Sequence, residues 1–88
     1  MAKQRTPVMF QPKYFSKAGN IESNCAGSIF WNKGDTVAII GGTPLVPNDF
    51  LILSVNADEI DETAYTVQFE PPTGGNNFLV VWQKVYKN

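Results

Sequence analysis

From Cys25 onward, apolar residues recur in short runs separated by turn formers, and helical spacing is missing. Residues 28–31 (SIFW) are rich in strand formers and close at the tetrad Asn32-Lys33-Gly34-Asp35. Residues 36–40 follow and stop at Gly41-Gly42, a dipeptide suited to the positive φ angles of a tight hairpin. Residues 43–46 return briefly, and Pro44, with no amide hydrogen to donate, places them at a sheet edge. After the turn Pro47-Asn48-Asp49 come three more strands, at 50–55, 65–69 and 78–86, the last being the longest. The one segment compatible with a helical turn is 58–63. About six or seven short strands at turn spacings of roughly 8–12 residues predict an all-β fold, a small antiparallel β-sandwich.

Alternation also reports on burial. Tyr65, Val67 and Phe69 alternate with Thr66 and Gln68, so that strand has one wet face. The last strand is apolar on both: Phe78, Val80 and Trp82 point one way, Leu79, Val81 and Val85 the other. Phe50 and Ile52 oppose Leu51, Leu53 and Val55 in the same manner, and Ile29 and Trp31 oppose Phe30. One sandwich interior cannot hold so much apolar surface, so the excess must meet the N-terminal arm, a neighbouring subunit or both, and an obligate assembly, a homo-oligomer, is the favoured expectation. The bulk of Phe78, Val80 and Trp82 suits the interior of a small core. Leu79, Val81 and Val85 are then expected at the oligomer interface.

The first 24 residues read differently. Pro7 and Pro12 break any helix, and polar Gly, Asn and Ser follow. The segment is expected to be an extended basic arm (1–24), lying on its own domain or on another subunit, that precedes a sandwich domain (25–88). Its cations Lys3, Arg5, Lys13 and Lys17 and its large apolar groups Val8, Phe10, Tyr14 and Phe15 form a candidate docking element. The acids Asp49, Asp58, Glu59, Asp61, Glu62 and Glu70 lie later in the chain, so a net charge of −1 hides a strong asymmetry. Four spaced cations without a dense cluster argue against nucleic acid as the principal partner.

Candidate chemistry is sparse. The chain of 88 residues contains no His and one Cys, Cys25, which removes the usual general base and any internal disulfide. Cys25, with no imidazole to activate it, is expected to be a small buried residue. Asp58, Glu59, Asp61 and Glu62 are the one acidic cluster. They sit at adjacent rather than alternate positions, around Ile60 and without the Gly that a calcium loop needs. A solvated loop also gives no division of labour between a desolvated acid and its partner. The acids are expected to organise a turn instead, with Asp58 or Asp61 accepting from amides two or three positions on, and Ile60 anchoring the loop inward. Gly41-Gly42 and Gly74-Gly75 precede no helix and make no phosphate cradle. No cofactor, metal or catalytic residue is expected. The start of the chain lacks the apolar core of a signal peptide, and no run is long enough for a membrane span. The aromatic residues suit either a core or, as a different class of function, a carbohydrate-binding or adhesion surface.

Residues 37–69 read VAIIGGTPLVPNDFLILSVNADEIDETAYTVQF, and Lys84-Val85-Tyr86 ends the last strand. The pattern V-x-I-x-x-G-x-P-L-x-P, then an apolar strand, then E-I-D-x-T-x-Y-x-x-x-F resembles small virion proteins of bacteriophages that infect Bacteroidetes-like hosts, including accessory capsid proteins of crAss-like phages. The resemblance covers a little over half the chain. It implies a β-sandwich that joins a viral particle as a decoration, vertex or fibre-base protein, made in the host cytoplasm and partnered by other capsid or spike proteins. It carries no catalytic residues. It assigns Gly42, Pro44, Leu45 and Pro47 to a shaped hairpin, with Asn48 where such proteins often have Gly, and Glu59, Asp61, Thr63 and Tyr65 to the entry into the next strand.

From the spacing of the acids, millimolar calcium should leave the melting temperature unchanged. A rise of more than a few degrees that a chelator reverses would overturn this reading of the loop.

Overall fold

The computed structural model describes residues 7–56, 58–70 and 75–87, all of them in strands, turns or irregular chain. Eight strands follow one another: β1 (Val8–Phe15), β2 (Gly19–Glu22), β3 (Gly27–Asn32), β4 (Val37–Ile40), β5 (Thr43–Leu45), β6 (Phe50–Ser54), β7 (Ala64–Glu70) and β8 (Leu79–Tyr86). They form two antiparallel four-stranded sheets, in the order β1-β8-β3-β6 and β2-β7-β4-β5. The fold is an all-β sandwich, as the strand pattern predicts.

Local chemistry accounts for the hairpins. Between β4 and β5, Gly41 (φ 55°) and Gly42 (φ 89°) both adopt the left-handed conformation, the requirement of a two-residue turn that matches strand twist. Asn48 (φ 70°) does the same before β6, a conformation Asn tolerates better than most residues. Pro44 lies in β5, which is an edge strand, so its missing donor breaks no ladder. Gly34 lets the β3–β4 turn pass close to the chain before β8: a Cβ there would fall on the Asn76 carbonyl and lie 2.6 Å from the Phe78 nitrogen.

The interior is filled from both sheets. Phe30, Leu79 and Val81 from one sheet meet Ile21, Ala38, Ile40, Leu45, Val67 and Phe69 from the other, with Phe15, Leu51, Leu53 and Tyr65 packed around them. The Phe30 and Tyr65 rings meet edge to face across the layer, centroids 5.5 Å apart. Two buried amides tie the sheets together. Asn32 donates from Nδ2 to the Thr36 carbonyl (2.7 Å) and the Leu45 carbonyl (2.8 Å), and its Oδ1 accepts from the Gly34 amide (3.0 Å). Gln83 donates from Nε2 toward the Glu22 and Ser23 carbonyls (3.2 and 3.5 Å). Cys25 is buried, its thiol directed at the Gly27 carbonyl and the Ser28 hydroxyl.

Three expectations are corrected. Within the described residues, 7–24 do not stand apart from the domain at 25–88. β1 pairs with β8 over its whole length, from Val8↔Tyr86 to Phe15↔Leu79, and β2 pairs with β7. Both are edge strands, which is why Pro12 and the polar Gly19-Asn20 pair, discouraging signs for a central strand, are tolerated there. The last strand also faces the other way round. Leu79 and Val81 are wholly buried in the core, whereas Trp82 (36% exposed) and Phe78 (38%) lie on the outer face. Leu79 and Val81 are thus unavailable to an oligomer interface, and Val85 is half-buried on their side. Finally, Ile60 is 53% exposed and does not anchor the acidic loop.

The facing of β8 sets opposite outcomes for neighbouring substitutions. Val81→Asp buries an unpaired carboxylate, a cost of several kcal/mol against a total stability of about 5–15 kcal/mol. It should abolish the folded β signal in circular dichroism. Trp82→Ser opens no interior cavity and removes only surface contact, on the order of 1–2 kcal/mol, so the protein should remain folded. A folded Val81→Asp beside an unfolded Trp82→Ser would reverse the assignment.

Candidate interaction surface

The register of the β1-β8-β3-β6 sheet lines up its outward side chains in rows. One row runs Pro12, Trp82, Ile29, Ile52, and the next Tyr14, Val80, Trp31, Phe50. Phe78 joins at the end of the second row, its ring stacked on Tyr14 at 5.9 Å and 9°. Phe10 lies beyond the first row, opposite Lys84. The result is an aromatic and aliphatic surface across all four strands. Exposure there is high for such side chains: Phe10 56%, Tyr14 61%, Phe50 56% and Ile52 58%. Ile29, Trp31, Phe50, Ile52 and Trp82 line a shallow depression of about 330 Å³. Lys33 holds its ammonium 4.1 Å from the Trp31 ring centre, a cation–π contact at the rim.

The other sheet is different outside. Its outward positions on β2 and β7 are Asn20, Glu22, Ala64, Thr66, Gln68 and Glu70, all exposed and mostly polar. β4 and β5 add the half-buried Val37 and Ile39 and the exposed Pro44 to that side, but among the described residues no exposed aromatic ring.

The sequence-predicted docking residues separate accordingly. Lys3 and Arg5 lie outside the described residues. Phe10 and Tyr14 share the apolar outer face through β1, and Val8 is exposed on the same strand. Phe15 turns inward against the core. Lys13 is exposed on the opposite side of β1, paired with Val81, and Lys17 lies in the turn after β1. Lys13 and Lys17 therefore do not share one surface with Phe10 and Tyr14. The sequence pattern puts Trp82 in the interior and Trp31, Phe50 and Ile52 on one face of two-sided apolar strands without marking them as site residues, although their alternation with Phe30 and Leu51 is visible there.

The acidic loop organises the approach to β7. Asp61 Oδ1 accepts from the Thr63 amide (2.9 Å), the expected bond two positions on, and Oδ2 accepts from the Tyr65 hydroxyl (2.7 Å). Glu59 accepts from the Asn56 amide through Oε1 (3.0 Å) and donates its own amide to the Asn56 carbonyl (3.1 Å). Asp58 takes a positive φ of 65° and so supplies the turn's conformation rather than a cap. Among the described residues no three His, Cys, Asp or Glu side chains converge as metal ligands. A hollow of about 640 Å³ lies between the β1–β2 turn and β7, and its ionisable lining groups are Lys17 and Glu70. That pair gives no catalytic constellation, so the outer sheet face is the stronger candidate site. Among the described residues no helix is long and apolar enough to cross a membrane.

No protein-family model, curated protein or solved structure matches this chain.

The hydrogen bond between Asp61 and Tyr65 moves their pKa values in opposite directions. Partial burial raises the Asp61 pKa, but hydrogen bonds from the Thr63 side chain, the Tyr65 hydroxyl and the Thr63 amide outweigh it, leaving it below the ordinary 3.8. Burial and the bond to Asp61 raise Tyr65 above its ordinary 10.0. The Asp61 contribution to stability is present above the unfolded carboxylate pKa and is lost as pH falls through the lowered folded value. The Tyr65 contribution is present below the unfolded phenol pKa and is lost as pH rises through the raised folded value. Tyr65→Phe keeps the ring and deletes the bond. Its melting-temperature deficit should be constant between about pH 5 and 9 and shrink outside that range. A deficit independent of pH from 2 to about 11 would sever the link to titration.

Proposed function

We propose that this protein is a structural assembly subunit and that it docks on other proteins through the outer face of the β1-β8-β3-β6 sheet. The observation that carries the reading is that, among the described residues, the exposed aromatic side chains all gather on that face, with Ile52 beside them, while Met9, Val46 and Ile60 are exposed singly elsewhere. At roughly 200 Å² for a fully exposed large side chain, Phe10, Tyr14, Trp31, Phe50, Ile52, Phe78 and Trp82 together present on the order of 700 Å². A standard-size interface buries about 800 Å² per partner, and contiguous patches of this size mark interaction sites. The phage setting comes from the resemblance in residues 37–69: a capsid-associated decoration, vertex or fibre-base protein, acting without catalysis and partnered by capsid or spike proteins.

A carbohydrate-binding role is the second reading, favoured by two tryptophans half-open on one sheet face. Sugars also demand polar groups between the rings, to meet their hydroxyls. Here the depression that holds Trp31 and Trp82 is otherwise lined by Ile29, Ile52 and Phe50, with no polar side chain, which favours protein contact.

Trp31 and Trp82 are the only tryptophans, so their fluorescence reports on this face alone. In the isolated protein, iodide should quench both. On assembly with a protein partner, quenching should fall and emission shift to the blue, and Ile29→Ser with Trp82→Ser should weaken that association. Protection by an insoluble polysaccharide instead would move the conclusion to the carbohydrate reading. Quenching unchanged in the assembled state would remove the face from function.

A further inference from the structure

Each sheet of an open sandwich has two edges, and three of the four here are guarded. β1 carries Pro12 and Lys13, β5 carries Pro44, and β2 spans four residues ending in Glu22. Proline, charge and shortness are the devices that stop a strand from pairing with a stranger. β6, FLILS, carries none of them.

We propose that β6 is a pairing edge, at which two copies of the chain join antiparallel about a twofold axis through Ile52. This rests on the reading of the protein as an assembly subunit, and it identifies one partner as a second copy.

The backbone supports the register. The Asn32 amide donates to the Asp49 carbonyl, so Asp49 directs its carbonyl toward β3, and by alternation Leu51 and Leu53 do the same. Phe50, Ile52 and Ser54 then direct their backbone groups outward, away from β3. Pairing Ile52 with Ile52 of the second copy makes a mutual two-bond exchange on the axis. Phe50 falls opposite Ser54 of the second copy, and the reverse. The Phe50 amide already donates to Oδ1 of Asp49, the preceding residue of the same copy (3.0 Å), which ends the ladder there. Four inter-copy bonds remain, two at Ile52 and two from the Ser54 amides to the Phe50 carbonyls.

Side chains agree with the same axis. Residues 50–55 hold no charge, so no like charges meet across it. Leu51 and Leu53 face each other on the inner side and extend the core, and both are half-buried in one copy. An axis normal to the sheet keeps both outer faces on one side. The pair would therefore present a doubled, continuous apolar surface, with Trp31 and Trp82 of each copy still open for docking.

The test combines light scattering with amide hydrogen exchange. Wild type should reach twice the monomer mass as concentration rises, with the Ile52 and Ser54 amides becoming protected. Tryptophan quenching should change little. Ile52→Pro removes an outward amide and no bond to β3, and should weaken pairing by on the order of 100-fold while circular dichroism stays native. Ile52→Lys keeps the amide but sets two like charges side by side on the axis, and should also yield monomers at low salt. A dimer of unchanged affinity in both variants, or one whose Ile52 and Ser54 amides exchange freely, overturns the edge pairing and leaves the assembly reading standing. A wild type that stays monomeric, or whose Ile52 amide is protected only by a different polypeptide, also overturns it. The outer-face reading then stands or falls on its own tryptophan measurement.

Discussion

A chain of 88 residues has enough material to close one interior layer and no more. β3 and β8 are apolar on both sides, yet the second sheet can cover only one side of them. Whichever side is chosen, the other must meet solvent or a partner. The chain chooses Phe30, Leu79 and Val81 for the interior, and Ile29, Trp31 and Trp82 are left outside as a consequence. The sandwich and its candidate docking face are thus two results of one limit on size.

The choice of side is tied to the buried amides. Asn32 shares the inward parity of Phe30, and Gln83 that of Leu79 and Val81. Turned inward, Asn32 finds two carbonyl acceptors and an amide donor, and Gln83 finds the backbone between β2 and Cys25. Each unmet buried polar group would cost about 1–3 kcal/mol. Asn32 lies near the β3–β4 turn and Gln83 toward the other end of the sandwich. Together they hold the sheets in one alignment, which an apolar layer alone would specify less sharply. The inward facing of β8 is therefore set by polar satisfaction as well as by shape, and bulk was the wrong criterion for it.

The acidic loop contributes to the same architecture. Cys25 and Asp61 form an isolated bridge, with the Asp61 amide donating to the Cys25 carbonyl at 2.7 Å. The Asp61 carboxylate then holds Thr63 and Tyr65, and Tyr65 carries the ring that meets Phe30. Acids that in isolation suggest a cation site instead deliver β7 to the core. The proposed docking reading rests instead on the exposed aromatic face of the other sheet.

Much of this was legible residue by residue. Alternation at Tyr65, Val67 and Phe69, the Gly41-Gly42 hairpin, the edge position forced by Pro44 and the Asx turn at Asp61 all follow from local chemistry, and they determine the all-β class. The surplus of apolar surface was legible too, since period two displays both faces of a strand at once. What local chemistry lacked was the identity of the face that gets covered. The two faces of β8 are nearly equal in hydrophobicity, and only the approach of β2, β4, β5 and β7 distinguishes them. The same holds for β1 and β2: Pro12 and Gly19-Asn20 discourage strands taken alone, and become strands because β8 and β7 offer them a ladder. Local propensity decided where the chain could extend, and pairing across long sequence separations decided which side of it would be dry.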